Sequence, residues 1–188
     1  MIDSSFNVLQ EHDDWVPYQQ YFTNLDVYYS KEYVSLLALK ENGVPEAIYY
    51  EQDGQRLFYP YIKREIIDGL YDIVTPYGYG GPIWNTDVHD EIVSHFEKSF
   101  SHYCQLNNII TETIRFHPLL QNERKLHHHM KVEYIRKTTA VDLTQSLDYI
   151  RSQYSSTNKR NIKKAIKAGV EIVPLNSDRD LPTFMSLY

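Results

Sequence analysis

EAIYYEQDGQRLFYPYIKREI, residues 46–66, holds two runs of β-branched, aromatic and polar residues around Asp53-Gly54. An Asp-Gly pair between two such runs is the strongest short-range signal for a β-hairpin, because both turn residues must accept positive φ. The pair of strands predicts an antiparallel meander, and Pro60 within the second run predicts an edge or a bulge there. LYDIVTPY follows as a third strand, leading into TPYGYGGPIW, Thr75 to Trp84. That stretch carries Gly78, Gly80 and Gly81, three of the chain's seven glycines.

The flanking segments alternate helices with strands. FNVLQ, from Phe6, reads as a strand, and Asp13 or Asp14 is placed to cap a helix through Trp15 to Phe22. Ser30 caps SKEYVSLLALKENG, whose apolar residues recur at helical spacing until Gly43. After the glycine stretch, Val88, Ile92, Phe96, Phe100 and Tyr103 or Cys104 form one stripe, which predicts an amphipathic helix from Asp87 to Leu106. IITETIRF reads as a strand, HPLLQNERKLHHH as a loop with a short helix that Asn122 would cap, and VEYIRKTTAVDL as another strand region. Ser146 starts a helix to Tyr154, and Asn158 would cap a basic helix that Gly169 ends. VEIVP then reads as a strand and DLPTFMSLY as the beginning of a further helix. This order implies an α/β fold, a mixed sheet flanked by helices. The restart at Val170 implies one complete domain, residues 1–157, and the junction helix and first elements of a second, residues 158–188.

Composition bounds the function. The chain of 188 residues is 42% hydrophobic and 23% charged, enough apolar content for a folded core. One cysteine, Cys104, allows no internal disulfide and sits on the apolar stripe of the Asp87 helix. No run of about 18 apolar residues predicts a membrane span, and the acidic start MIDSSFNVLQEHDD is unlike a signal peptide. A cytoplasmic protein is expected. The 17 tyrosines suit half-buried strands and binding clefts. The net charge of −6 argues against general nucleic-acid binding, yet Lys159, Arg160, Lys163, Lys164 and Lys167 fall in a stretch with no acid, which leaves −11 on the rest. Such a run is a solvated helix face or an anion-binding one. His127-His128-His129 carries no metal-ligand spacing, since consecutive side chains on a regular element cannot converge on one ion.

Several spaced segments resemble the Fem-type branch of the GNAT acyltransferase superfamily: DVYYSKEYVSLL, EAIYYE, LFYPYIKREI, YDIVTPYGYGGP, IRFHPLLQN and KRNIKKAIKAGVEIV. This branch includes peptidyltransferases that add amino acids to the peptidoglycan precursor and related acyltransferases of cell-surface glycans. The resemblance implies a GNAT-like mixed sheet, a tandem second domain of which this chain has only the start, and a cleft between the two. The implied activity is transfer of an acyl or aminoacyl group to an amine or hydroxyl of a cell-wall or cell-surface glycan precursor. The donor of the full-length protein would be acyl-coenzyme A or aminoacyl-tRNA. The alternative is a non-catalytic module of the same fold that binds a glycan or nucleotide-sugar.

The resemblance also places the glycine stretch where GNAT domains cradle the coenzyme A pyrophosphate. Thr75-x-x-Gly78-x-Gly80 keeps both small positions of the usual pattern and lacks its leading Gln or Arg. Pro82 offers no N–H, and Asp87 puts a negative charge toward the anion's place. Tyr77, Gly78, Tyr79, Gly80 and Gly81 are therefore expected to wall an acceptor cleft rather than hold coenzyme A, or to form only a tight turn. Lys63 and Arg64, on opposite faces of a strand end, offer one cation to a diphosphate. Arg115 and His117 share a strand face, Arg115 as a carboxylate or phosphate clamp and His117 as a candidate general base or a hydrogen-bonded structural residue. Lys159, Arg160 and Lys163 of the junction helix would meet an anionic substrate or a tRNA backbone. No residue is assigned as catalytic and none as a metal ligand.

Overall fold

The computed structural model describes residues 4–23, 25–126, 130–175, 177 and 180–186. The chain divides into two compact units, Met1–Arg136 and Lys137–Tyr188. The boundary expected at 157/158 falls inside the second.

The first unit is a six-stranded mixed sheet flanked by helices, in the order β1 (Ser4–Leu9), β2 (Gly43–Gln52), β3 (Gln55–Ile67), β4 (Leu70–Val74), β6 (Ile109–Thr113), with β5 (Ile83–Trp84) on β3. Strands β1 to β4 pair antiparallel, whereas β4 and β6 run parallel. The β2–β3 turn is the expected Asp53-Gly54, with φ of 51° and 77°. The β3–β4 turn repeats the device at Asp68-Gly69, with φ of 35° and 78°.

Helices cover both faces. On one, α3 (Asp90–Leu106) sets Ile92, Val93 and Phe96 against Ile48, Tyr50, Leu57, Tyr59, Tyr61 and Ile73. On the other, α1 (Val16–Gln19), the 3-10 turn Val27–Tyr29 and α2 (Lys31–Glu41) bring Trp15, Phe22, Tyr29, Val34 and Ala38 onto Ala47, Tyr49, Phe58 and Ile62. Each fully buried aromatic or aliphatic side chain of this kind contributes about 1.5–3 kcal/mol. The expected Ser30 cap forms: Tyr33 N–H donates to its Oγ at 3.3 Å. Helix α1 spans only Val16–Gln19, shorter than the Trp15–Phe22 expectation.

Pro60 lies in a central strand, not at an edge. In the β3–β4 register, Ile62 pairs with Val74, so the next bonded position would set Pro76 opposite Pro60. Neither proline has an N–H to donate. The ladder stops there, the chain leaves the sheet, and it returns to β3 only at Ile83 opposite Phe58. The glycine loop is this excursion.

Two expected strands do not form. Val132–Leu143 and Val170–Pro174 carry no strand pairing. In the second stretch Ile172 is 96% exposed. β-branched composition favours a strand only where a neighbouring strand accepts its backbone bonds and side chains, and neither segment has one among the described residues. The second unit contains α4 (Leu147–Ser152), α5 (Ser156–Lys167) and α6 (Leu181–Met185). Ser155, not Asn158, caps α5, accepting from Asn158 N–H at 3.1 Å, and Gly169 ends it at φ 73°. Among the described residues no helix is long and apolar enough to cross a membrane.

Candidate functional site

The excursion from β4 is anchored at both ends. Thr75 N–H donates to Thr113 O at 3.2 Å, and Thr75 Oγ1 accepts from Arg115 N–H at 3.0 Å. Gly80 N–H donates to Arg115 O at 2.8 Å, and Gly80 bridges Phe116 in parallel. Between these anchors Pro76, Tyr77, Gly78 and Tyr79 project as a tip. Gly78, at φ 105°, lies directly beneath the Tyr28 ring. Gly81, at φ 92°, lies against Ile114, Phe116 and Asn122, where a Cβ would come within 2.8 Å of Ile114 Cγ2. Gly80 and Gly81 are buried, so Tyr77, Gly78 and Tyr79 are the part of the loop a ligand can reach.

Around that tip stands a group of rings. Tyr28 makes edge contacts with Tyr33 and Tyr79, at 5.6 and 5.7 Å between centroids, and Tyr79 packs on His117 at 5.5 Å. Tyr33 Oη donates to Tyr77 O at 2.9 Å, and Lys40 Nζ lies 5.9 Å from the Tyr77 ring centre. Tyr77 itself is 67% exposed. Burial and the carboxylate of Asp26 push the Tyr28 hydroxyl up from its ordinary value, so it stays a neutral donor.

His117 and Arg115 have separate fates. Ile114 and Phe116 pack with the α3 side of the sheet, so the alternate residues face the other way. There Arg115 is exposed, with no side-chain partner among the described residues. His117 is 5% exposed beneath Tyr28 and Tyr79. Its Nδ1 accepts from Leu119 and Leu120 N–H at 3.2 and 3.3 Å, which puts the ring proton on Nε2, facing Asp26 Oδ2 at 3.3 Å. A ring held at both nitrogens orients the turn; its lone pair is already engaged.

Lys63 and Arg64 do point to opposite faces, and carboxylates hold both. Arg64 Nε meets Asp72 Oδ1 at 2.9 Å, its Nη2 meets Asp72 Oδ2, and its Nη1 meets Glu41 Oε2 at 2.8 Å. Lys63 Nζ stands 3.8 Å from Glu46 Oε1 and 4.8 Å from the Tyr71 ring centre. Glu46 also accepts from Tyr61 and Tyr103 hydroxyls at 3.0 and 2.7 Å. Burial, with Glu46 beside it, drives the Tyr61 hydroxyl far up, so it stays a neutral donor to a carboxylate that also faces Lys63. Burial also pushes the Cys104 thiol up to about 12, which leaves no thiolate for nucleophilic work.

Lys159 Nζ donates to Ser152 O at 2.8 Å. Arg160 and Lys163 stand exposed in the second unit, with no ion pair among the described residues. Among the described residues no three His, Cys, Asp or Glu cluster to hold a metal ion; His127-His128-His129 lies outside them.

Beyond the loop, β5 borders an open cleft of about 430 Å³ lined by Phe22, Leu25, Ile83, Trp84, Leu120 and Gln121, with Arg124 and Lys125 also on its wall. Helix α3 starts past it with Asp90 and Glu91 in its first turn, and Asp87 is paired to Lys125 at 2.9 Å. That pairing holds the Asp87 carboxyl below its ordinary value. The sequence reading missed Asn122 as the pin of this region. Its Nδ2 donates to Gly80 O at 2.9 Å and Pro82 O at 3.1 Å, while its Oδ1 accepts from His117 N–H at 3.1 Å. It does not cap the 3-10 turn Asn122–Lys125, where Gln121 holds the cap position.

No family model matches the chain, and comparison with curated proteins and with solved structures gave no match.

Proposed function

We propose that the first unit is the acceptor-binding domain of a Fem-like, GNAT-type acyl- or aminoacyl-transferase that works in the cytoplasm on a cell-wall or cell-surface glycan precursor. One observation carries the reading: the glycine loop leaves the end of β4 and leads to α3, and β4 and β6 are parallel. That is the element order the sequence resemblance implies, with the loop in the position the superfamily uses for ligand contact.

The chemistry of the loop favours a wall over a cofactor cradle. Asp90 and Glu91 in the first turn of α3 oppose an anion at its N-terminus. Gly80 spends its N–H on Arg115 O. What remains outward is an aromatic surface of Tyr77 and Tyr79, with Arg115, exposed and without a side-chain partner among the described residues, in the segment that follows β6. Aromatic faces beside a guanidinium suit a sugar ring that carries carboxylate or phosphate. The transferred group would come from acyl-coenzyme A or aminoacyl-tRNA held elsewhere, and the bound acceptor would gain rate through positioning.

The test is thermal unfolding of this chain with acetyl-coenzyme A, with a uridine-diphosphate N-acetyl sugar, and with a muramyl-peptide precursor. The sugar nucleotide or the precursor should raise the melting temperature and acetyl-coenzyme A should not. No shift with any of them removes the support for the reading. A second reading, a non-catalytic glycan-binding or scaffold module of this fold, is favoured by the packing of Tyr28 onto Gly78 and by the engaged nitrogens of His117. It forecasts the same binding, with no transfer of label from either donor to the acceptor.

A further inference from the structure

The outer edge of β5 carries an unassigned recognition element. Asn85 N–H donates to Arg56 O at 2.9 Å and Arg56 N–H donates to Asn85 Oδ1 at 2.7 Å, so the bonding groups of residues 56 and 85 face each other. Leu57 and Trp84 are the adjacent pair in this register. In an antiparallel ladder bonded and non-bonded pairs alternate, so the main-chain N–H and C=O of Trp84 turn away from β3. Among the described residues β5 pairs with β3 alone, so this outward edge has no strand beside it, and Trp84 and Asn122 both line the cleft that borders it.

The same edge shows what it accepts. Pro82 is the preceding residue on the outward side, and its carbonyl takes the Asn122 carboxamide at 3.1 Å. One amide therefore already lies along this edge, and the cleft continues from there. Its walls are Phe22 and Ile83, both nearly buried, with Leu25 and Leu120 beside them. A pocket of about 430 Å³ is ample for a small ligand.

We propose that this cleft binds a secondary amide bearing an apolar substituent, its N–H and C=O pairing with Trp84 and the substituent lying against Phe22, Leu25 and Ile83. A peptide unit and the acetamido group of an amino sugar share this chemistry. The site is argued from the strand edge alone and stands apart from any transfer activity.

Titration of the ¹⁵N-labelled chain, followed by amide chemical shifts, tests it with two probes: N-acetylleucine N-methylamide and N-acetylglucosamine. Methyl glucoside, which has no amide, serves as the control. The Trp84 main-chain amide should shift saturably with one or both probes and not with the control, and the tighter probe names the source. Leu120→Trp fills the cleft from an exposed position and should weaken binding at least ~10-fold. Thr23→Trp blocks the opposite wall and replaces it should Leu120→Trp lose its dispersed spectrum. A Trp84 amide that ignores both probes overturns the proposal, as do shifts that persist unchanged in the folded blocking variants. Either result leaves thermal stabilisation by a sugar nucleotide through the Tyr77 and Arg115 surface untouched, so the two readings fail separately.

Discussion

Tyr28 lies across Gly78 so closely that the ring occupies the place a Cβ would take. The tip of the loop is thereby fixed by a residue some fifty positions earlier, from the 3-10 turn that leads into α2. Gly78→Ala should suffer twice: from positive φ, about 1–2 kcal/mol, and from overlap with the ring, about 1–3 kcal/mol. Gly54→Ala, at φ 77° with open space around it, should show only the first cost. Urea unfolding of the two variants measures the difference. Equal losses would mean that Tyr28 does not hold the loop.

Arg64 and Arg115 looked alike in the sequence as anion clamps, and the structure separates them. Arg64 is bonded to Asp72 and Glu41. Arg64→Met should therefore lower stability by about 2 kcal/mol, since it strands the half-buried Asp72. Arg115→Met should change stability by no more than about 0.5 kcal/mol and should weaken binding of an anionic acceptor. Unfolding curves read the first effect and ligand-dependent melting the second. An unchanged ligand shift in Arg115→Met would exclude Arg115 from the acceptor surface.

The hairpin around Asp53-Gly54 was legible because its signal is local: two residues, both able to take positive φ, between alternating runs. The stripe of α3 was legible for the same reason. Illegible were features set by distant partners. Val170–Pro174 has strand composition without a strand to pair with. Pro60 suggested an edge or a bulge and forms neither: β3 runs through it, and it is the β3–β4 pairing that stops, one step short of where Pro76 would face it. The loop's place between β4 and α3 could be read from element order. That its glycines are filled by Tyr28, Ile114 and Asn122 could not, because those contacts span tens of residues. Asn122 had a weak cue, a carboxamide after a Pro-containing turn, which pointed to a cap and not to a pin.

Stability should fall as the solution is raised from about pH 4.5 to 7. Burial, with Glu112 adding to it, lifts the Glu97 carboxyl from 4.5 to about 7. Burial also raises Glu112, against the opposing hydrogen bond from Tyr59. A carboxyl raised in the folded state binds its proton more tightly there than in the unfolded chain. Its contribution is complete below the unfolded value and is lost as pH rises through the folded one. Glu97→Gln should flatten this slope and be the more stable protein at neutral pH. Urea midpoints at pH 5 and 7.5 decide it; parallel slopes for the two proteins would rule Glu97 out as the source.

His117 offers the sharpest division between catalysis and architecture. Its Nδ1 accepts two backbone N–H groups and its Nε2 faces Asp26, so neither nitrogen is open to a substrate. If the ring serves only to hold the turn at residues 117–120, an acceptor of similar reach should substitute for Nδ1. Asn at this position can take Leu119 and Leu120 N–H through Oδ1, as Asn does in turns. His117→Ala should then cost about 1–2 kcal/mol by removing the acceptor of two N–H groups and emptying a buried ring site, and His117→Asn about half of that. Acceptor binding should follow the same order. Any transfer activity should keep its pH profile in His117→Asn, because no proton passes through this ring. A profile that loses its acidic limb in His117→Asn, with stability preserved, would make His117 a general base and reverse the assignment.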